Sequence, residues 1–183
     1  SSNGDAFYEH DRTASSGSVE RELPLHEFPT PKQLWQRYKH YKGITTPEAE
    51  EISAQDYFFD GTSRSPRYYQ QIAINRTVES IANGQQRILL TMATGTGKTY
   101  TAFQIIHRLW KSGAKKRILF LADRNSLIDQ TRRGDFRHFK DKMTVIKHKN
   151  IDKSYEIYLA LYQGLTNYDE DKDAYREFSQ NFF

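Results

Sequence analysis

The segment Met-Ala-Thr-Gly-Thr-Gly-Lys-Thr at residues 92–99 has the residue types and spacing of a phosphate-binding loop. Gly95 and Gly97 allow a tight backbone turn that brings N–H groups close to phosphate oxygens. Lys98 would reach the β- and γ-phosphates of a nucleotide, and the Thr99 hydroxyl would ligate Mg²⁺, so these two are the catalytic candidates. The predicted nucleotide-binding residues of this loop are Thr94, Gly95, Thr96, Gly97, Lys98, Thr99 and Tyr100.

The elements on either side of this loop support the same interpretation. The apolar run 87–92 predicts a strand that leads into the loop, and an amphipathic helix follows it. Strand, glycine loop and helix are the layout of a P-loop, although Met92 replaces the usual first glycine. The alternative, a glycine turn between a strand and a helix, leaves the Lys-Thr pair unexplained.

A second candidate for nucleotide contact precedes the loop. Ser65-Pro66 predicts the start of a helix that runs to Gly84 and carries Arg67 and Gln70 in its first turn. A glutamine amide has a donor and an acceptor side by side, which suits the N6–H and N7 edge of adenine. Because Gln70 lies 27 residues before Gly97, we predict that it contacts adenine rather than being an ordinary surface glutamine.

Polar residues follow two of the predicted strands. The continuous apolar run 117–122 predicts a strand buried on both faces, and Arg124, Asn125 and Ser126 follow it at the start of a helix. Ligand contacts in open α/β sheets lie at carboxyl strand ends, so these residues and Gln163 are candidate contacts to the DNA backbone. The alternatives are a simple helix cap with a solvated arginine and a strand end packed by tyrosine.

The alternation of elements predicts the fold class. Further strands are predicted at 143–146 and 157–161, and strands that alternate with helices indicate an α/β fold with a parallel sheet and flanking helices. In the front part, Thr30 and Pro31 predict the start of a helix that ends at Gly43. We predict a boundary near residue 60, with a linker segment before it and the sheet after it.

Composition limits the classes of function. The 183 residues are 37% hydrophobic with a net charge of +4, which fits a folded protein whose partner carries phosphates. The absence of cysteine excludes disulfides, zinc ribbons and thiol catalysis. No apolar run reaches the roughly 18 residues that a membrane span needs, so a cytoplasmic protein is expected. The basic stretches Lys115-Lys116-Arg117 and Arg132-Arg133 are interpreted as solvated faces.

Taken together, the motifs resemble a known family. Arg-x-Tyr-Gln at 67–70, residues 93–99 and Phe-Leu-Ala-Asp-Arg at 120–124 resemble the Q motif, motif I and motif Ia of superfamily 2 helicases. With Ala-Leu-Tyr-Gln-Gly-Leu at 160–165, the sequence is most similar to the R subunit of type I restriction-modification enzymes. The front segment resembles the link between that family's nuclease domain and its first motor domain.

The resemblance implies a prokaryotic, ATP- and Mg²⁺-dependent motor that translocates double-stranded DNA and acts with methyltransferase and specificity subunits. Residues 1–60 would be the end of the nuclease domain and a helical linker, and residues 61–183 the leading part of the first RecA-like motor domain. The sequence stops before the Asp-Glu strand of that family, so the full-length protein is expected to be the enzyme and the piece alone to be inactive.

Two other functions remain open from the sequence. One is another superfamily 2 translocase or repair helicase, which would share the same three motifs. The other is an interaction module that binds no nucleotide and uses the glycine loop only as a turn. The second predicts neither stabilisation by ATP nor salt-sensitive DNA binding.

Overall fold

The computed structural model describes residues 2–14, 17–62, 64–146, 151–165 and 174–183. The chain divides into two compact units, residues 1–50 and residues 51–183. The acidic stretch at 169–173, for which the sequence predicts a surface loop, lies outside the described residues. Within the described part, no helix is both long enough and apolar enough to cross a membrane.

The first unit begins with a β-hairpin. Strand β1 (Ala6–His10), within which the sequence predicts a short strand at Phe7-Tyr8, pairs antiparallel with β2 (Glu20–Pro24). The carboxylate of Glu9 on β1 accepts hydrogen bonds from Arg21 on β2 and, at 2.7 Å, from Nη1 of Arg37. These two guanidinium partners hold the pKa of Glu9 below its usual value, although its partial burial opposes them.

Two helices complete the first unit. Helix α1 (Pro31–Lys42) begins at a reciprocal cap, since Thr30 Oγ1 accepts from the Gln33 backbone N–H and Gln33 Oε1 accepts from the Thr30 N–H. It ends at Gly43, whose φ of +67° is the left-handed conformation that terminates helices. Helix α2 (Pro47–Ala54) follows and passes the boundary between the units. The predicted start and end of α1 are therefore confirmed.

The second unit is built on a parallel sheet of three strands. The strands are β3 (Ile118–Ala122), β4 (Met143–Ile146) and β5 (Ile157–Leu161), in the spatial order β3-β5-β4 with both pairs parallel. The central strand β5 is almost completely buried, with four consecutive residues at 1% exposure or less. Helix α5 (Asn125–Arg133), short 3-10 turns within Asp135–Lys142 and helix α6 (Tyr162–Leu165) accompany the sheet.

Helix α4 (Lys98–Lys111) joins the sheet to helix α3 (Tyr68–Ala82). One face of α4 contributes Phe103 and Ile106 to a cluster with the sheet. A second face packs Ile105 and Leu109 against α3 residues. The expected α/β fold with helices beside a parallel sheet is therefore confirmed, although α3 begins at Tyr68 rather than at Ser65-Pro66.

The predicted strand at residues 87–92 is wrong. The segment has no strand hydrogen bonding, and Leu89 in its middle is 90% exposed. A strand requires a neighbouring edge to which its N–H and C=O groups bond, and no described strand pairs with this segment. Its apolar residues satisfied the sequence pattern, but they bury little surface.

The predicted burial of strand β3 on both faces is also wrong. β3 is paired on one side only, with β5, and is an edge strand of the described sheet. Its Leu121 is 43% exposed, and the other β3 residues are partly buried. The continuous apolar pattern identified the strand correctly, but full burial belongs to the central strand β5.

His107 on α4 lies in an aromatic environment within the second unit. Its ring centroid is 5.1 Å from that of Phe58 and 6.5 Å from that of Trp110. The buried Nδ1 atom has no hydrogen-bond partner among the described residues. Burial, followed by the positive charges of Lys111 and His138, lowers the pKa of His107 to about 4.

This shift predicts a loss of stability in mild acid. In the unfolded chain His107 takes up a proton near pH 6.5, whereas the folded chain keeps it neutral down to about pH 4. Between these values the unfolded state binds more protons, so the free energy of unfolding falls as the pH falls. We expect His107→Phe to reduce the decrease in thermal midpoint between pH 7.5 and pH 4.5, measured by circular dichroism.

The matched control is His26→Phe, because the His26 side chain is 81% exposed. This control variant should keep the pH dependence of the unsubstituted protein. If the thermal midpoint of the His107→Phe variant decreased between pH 7.5 and pH 4.5 as much as that of the unsubstituted protein, the result would contradict the role of His107 in acid destabilisation.

Candidate functional site

The backbone of the glycine loop adopts the shape that its sequence predicts. Gly95 and Gly97 have φ values of +80° and +84°, a region that side chains with a Cβ rarely adopt. Between them, Thr96 donates from Oγ1 to the Ala93 carbonyl at 2.7 Å, which closes the turn. Thr94 is exposed at the tip of the loop.

Gln70 connects helix α3 to this loop. Its side chain is 5% exposed, its Oε1 accepts the Arg67 N–H at 2.9 Å, and its Nε2 donates to the Thr96 carbonyl at 2.8 Å. Tyr69 adds a second, longer bond of 3.3 Å to the same carbonyl. One donor and one acceptor function of the amide are thus used within the protein, so adenine contact would have to use the remaining hydrogen and lone pair.

The close approach of Gln70 gives Gly97 a second requirement. A Cβ placed on Gly97 would lie 2.5 Å from Gln70 Nε2, whereas a Cβ on Gly95 would meet no atom within 4 Å. Both glycines therefore need left-handed backbone, but only Gly97 also needs the absence of a side chain for packing. Sequence spacing identified Gln70 and the loop separately and did not show that they are in contact.

The start of α4 carries the groups that suit an anion. The first intrahelical bond runs from the Thr101 N–H to the Gly97 carbonyl at 2.9 Å, so the preceding N–H groups of the helix make no such bond. Lys98 Nζ lies over the loop, 3.3 Å from the Met92 carbonyl and 3.2 Å from the Ala93 carbonyl. A nucleoside triphosphate with Mg²⁺ fits this arrangement of helix N–H groups, a lysine over the loop and the Thr99 hydroxyl.

The remaining nucleotide candidates differ in exposure. Arg67 is exposed, and its Nη1 donates to the Tyr69 hydroxyl at 3.3 Å. Tyr100 is buried, and its hydroxyl accepts from Gln104 Nε2 at 3.0 Å. The guanidinium of Arg64, which the sequence analysis missed, lies 4.1 Å from the centre of the Tyr100 ring. No motif marked Arg64, because this contact depends on the path of the loop before α3.

The direction of α4 places the loop relative to the sheet. Trp110, near the end of α4, donates from Nε1 to Glu156 Oε2 at 2.6 Å, and Glu156 directly precedes β5. The end of α4 therefore lies at the amino edge of the parallel strands. Phe103 and Ile106 pack α4 on the sheet cluster before that end. Because α4 is about 21 Å long and β5 about 16 Å, we infer that α4 runs along the sheet and that the loop at its start lies toward the carboxyl edge.

The predicted DNA contacts lie at that carboxyl edge. Ala122, the last residue of β3, is in register with Leu161, the last residue of β5. The residues that follow these two strand ends are all exposed; they are Arg124, Asn125, Ser126 and Gln163. Arg124 Nε lies 3.6 Å from Asp123 Oδ2 in an exposed pair, which contributes little to stability and leaves the arginine accessible.

The part of the chain that the structure describes holds no group of three or more His, Asp or Glu side chains that could bind a metal. The Thr99 hydroxyl at the start of α4, the metal ligand that the sequence predicts, stays a prediction. It is partly buried next to the loop. Such a site needs the phosphates of the nucleotide as further ligands, which is the usual arrangement for Mg²⁺.

Fold and loop together define a P-loop α/β protein, and comparisons with known proteins narrow the class. Residues 63–183 match the family described as "Type III restriction enzyme, res subunit". This chain is 54% identical to the endonuclease subunit of the type I restriction enzyme EcoAI from Escherichia coli, over 182 residues that make up 99% of the chain. The EcoKI endonuclease subunit of Escherichia coli (strain K12) is 56% identical over 64 residues, which are 35% of this chain and 6% of that subunit.

A solved structure supports the same similarity to type I restriction enzymes. A fragment assigned to the HsdR subunit of a type I restriction enzyme from Vibrio vulnificus YJ016 matches 99% of the chain and 31% of its own length, at 39% identity and a TM-score of 0.75. The chain belongs to the res-subunit family of restriction enzymes, and these relatives are subunits of type I enzymes. It spans 22% of the length of the EcoAI subunit.

The geometry predicts that the two loop glycines differ in their tolerance of substitution. Gly95→Ala should destabilise the protein by about 1–2 kcal/mol, because only the left-handed backbone is strained. Gly97→Ala should cost about 1–3 kcal/mol more, because the new methyl group would displace the buried Gln70 amide from Thr96. The two free energies of unfolding can be compared by urea denaturation, and equal values would show that Gln70 does not restrict position 97.

Proposed function

We propose that this chain is the ATP-binding and DNA-contacting part of the motor of a type I restriction endonuclease subunit. The observation that carries the proposal is the placement of the glycine loop and of the Arg124 segment toward the same carboxyl edge of one parallel sheet. In open α/β folds this edge is where ligands bind. The similarity to endonuclease subunits of type I enzymes supports the same assignment.

The nucleotide part of the proposal assigns a role to each loop residue. Gly95, Thr96 and Gly97 would direct backbone N–H groups at the phosphates, and Lys98 would exchange the Met92 and Ala93 carbonyls for phosphate oxygens. Thr99 would hold Mg²⁺. A bound metal would neutralise charge on the phosphates during phosphoryl transfer.

We assign the preference for adenine over guanine to residues at the start of α3. Gln70 already fixes the loop through Thr96, so its remaining amide hydrogen and oxygen lone pair are the groups left for adenine. Arg67 is exposed beside it. Gln70 would therefore both position the loop and contact the base, and GTP would fit less well than ATP.

The DNA part of the proposal rests on charge and helix geometry. Arg124, Asn125 and Ser126 lie at the start of α5, where free N–H groups and an arginine suit a phosphate of the backbone. Gln163 follows the neighbouring strand β5 and would give a second backbone contact. Contacts of this kind position DNA without reading its sequence.

In the full-length protein, we propose, this motor translocates double-stranded DNA and is part of a cytoplasmic complex with methyltransferase and specificity subunits. The names of the relatives, endonuclease subunits of type I restriction enzymes, support a multisubunit enzyme that acts on DNA. Since the chain spans 22% of the EcoAI subunit, nuclease and further motor functions would depend on parts of the protein beyond these residues.

Nucleotide binding predicts stabilisation that depends on Lys98. Mg²⁺-ATP at one hundred times its dissociation constant should raise the free energy of unfolding by about 2.7 kcal/mol. We expect Lys98→Ala to remove this increase, because its ammonium is the cation that lies over the loop. The measurement is the thermal midpoint with and without millimolar Mg²⁺-ATP.

Lys115→Ala is the matched control, since Lys115 is an exposed lysine beyond the opposite end of α4. The Lys115→Ala variant should retain the full increase in thermal midpoint on addition of Mg²⁺-ATP. A shift of equal size in the Lys98→Ala protein would place the nucleotide elsewhere and contradict the proposal.

Phosphate contact by Arg124 predicts a change in the salt dependence of DNA binding. Arg124→Ala should lower affinity for duplexes of any sequence and reduce the slope of log K against log salt by about 0.9. Arg133→Ala, at the other end of α5, serves as the control with the same loss of charge. Fluorescence anisotropy between 50 and 200 mM salt measures both slopes, and identical slopes would remove Arg124 from the DNA interface.

A further inference from the structure

A second cationic surface lies at the amino edge of the sheet, opposite the glycine loop. An open cavity of about 620 Å³ is formed there by the end of α4, the turn before β3 and the residues before β5. The lining residues that matter for binding are Trp110, Lys111, Lys116, Arg117, Tyr155 and Glu156. The volume falls in the range of ligand-binding clefts.

The acidic group of this cavity is already occupied by partners within the chain. Glu156 accepts from Trp110 Nε1 at 2.6 Å through one oxygen and pairs with Lys142 Nζ at 3.1 Å through the other. The hydrogen bond from Trp110 and, after it, the contact with Lys142 keep the pKa of Glu156 below its usual value. The carboxylate is therefore charged at neutral pH. The charges of Lys142 and then Lys116 also lower that pKa. One carboxylate therefore stands against three cations in the cavity lining.

Three cations line the cavity. Across the described residues, Lys111, Lys116 and Arg117 form no ion pair, although Arg117 also lies 4.4 Å from the centre of the Phe182 ring. The sequence pattern predicts a solvated face for the Lys-Lys-Arg stretch at 115–117. All three residues are exposed, as predicted, and two of them also line the cavity beside the rings of Trp110 and Tyr155.

We propose that this amino-edge cavity binds a single-stranded segment of nucleic acid. Cations that track phosphates, together with aromatic rings on which bases stack, are the features of sites for single strands. In a duplex the bases are stacked on each other, so the rings would reach them only in an unpaired strand. An acidic peptide would use the cations but would leave the two rings without a matching group.

The site is separate from the proposed motor site. The glycine loop and Arg124 lie toward the carboxyl edge, whereas the cavity lies before the first residues of β3 and β5, about 16 Å away along the strands. Binding here does not depend on ATP binding or on Arg124. Single-strand binding in the cavity can therefore be disproved without disproving the proposed motor function, and the motor function can be disproved without disproving binding in the cavity.

The test compares neighbouring lysines in the full-length protein. Lys116→Ala removes a cation from the cavity, and Lys115→Ala removes one from the adjacent position, which does not line it. Binding of a fluorescein-labelled oligothymidylate is followed by anisotropy between 50 and 300 mM salt. We expect Lys116→Ala to reduce the slope of log K against log salt by about 0.7 and Lys115→Ala to leave it unchanged.

Tyr155→Leu tests the aromatic part separately. It should weaken oligothymidylate binding by at least about fivefold without changing the salt slope, because stacking involves no counterion release. Its thermal midpoint is measured alongside to confirm folding. Equal slopes for Lys115→Ala and Lys116→Ala would overturn the proposal. So would a loss of assembly with partner subunits at unchanged slope, which would assign the cavity to an acidic protein segment.

Discussion

The burial of α4 is the constraint on which the second unit depends. Most polar side chains that a helix packed on two faces buries are hydrogen-bonded. Gln104 therefore bonds both backbone groups of Phe58, at 2.8 and 3.1 Å, and fixes the segment before α3. Arg108 donates to the Ser53 carbonyl and to Asn75 Oδ1, both at 2.7 Å, and thus ties the start of the second unit and α3 to the same helix. A helix held in this way gives its first turn a fixed position, and the glycine loop is attached to that turn.

The shape of the loop is determined by its protein neighbours as well as by its glycines. Gln70 reaches the Thr96 carbonyl only because Gly97 lacks a side chain, so the two residues depend on each other. A loop that is ordered before the ligand arrives loses less conformational entropy on binding, and this contributes to affinity. The lysine over the loop carbonyls would need only to exchange oxygen partners.

The sequence predicted those features that are determined by local chemistry. The bounds of α1 follow from Thr30 and Gly43, and the left-handed glycines follow from the loop pattern. Features that depend on distant partners were not predictable: residues 87–92 and β5 are both apolar runs, but only β5 has strands on either side. Likewise, the partner of Gln70 is a backbone carbonyl 26 residues away, which no side-chain pattern identifies.

The polarity of a parallel sheet explains why two cationic surfaces occupy opposite edges. All strands begin at one edge and end at the other, so α4, which runs antiparallel to them, spans the distance between the surfaces. A shared helix does not by itself couple two sites, because coupling requires an element with two arrangements that each ligand favours differently. The bond between Trp110 and Glu156 is the contact that would have to change, since it joins the end of α4 to the cavity lining.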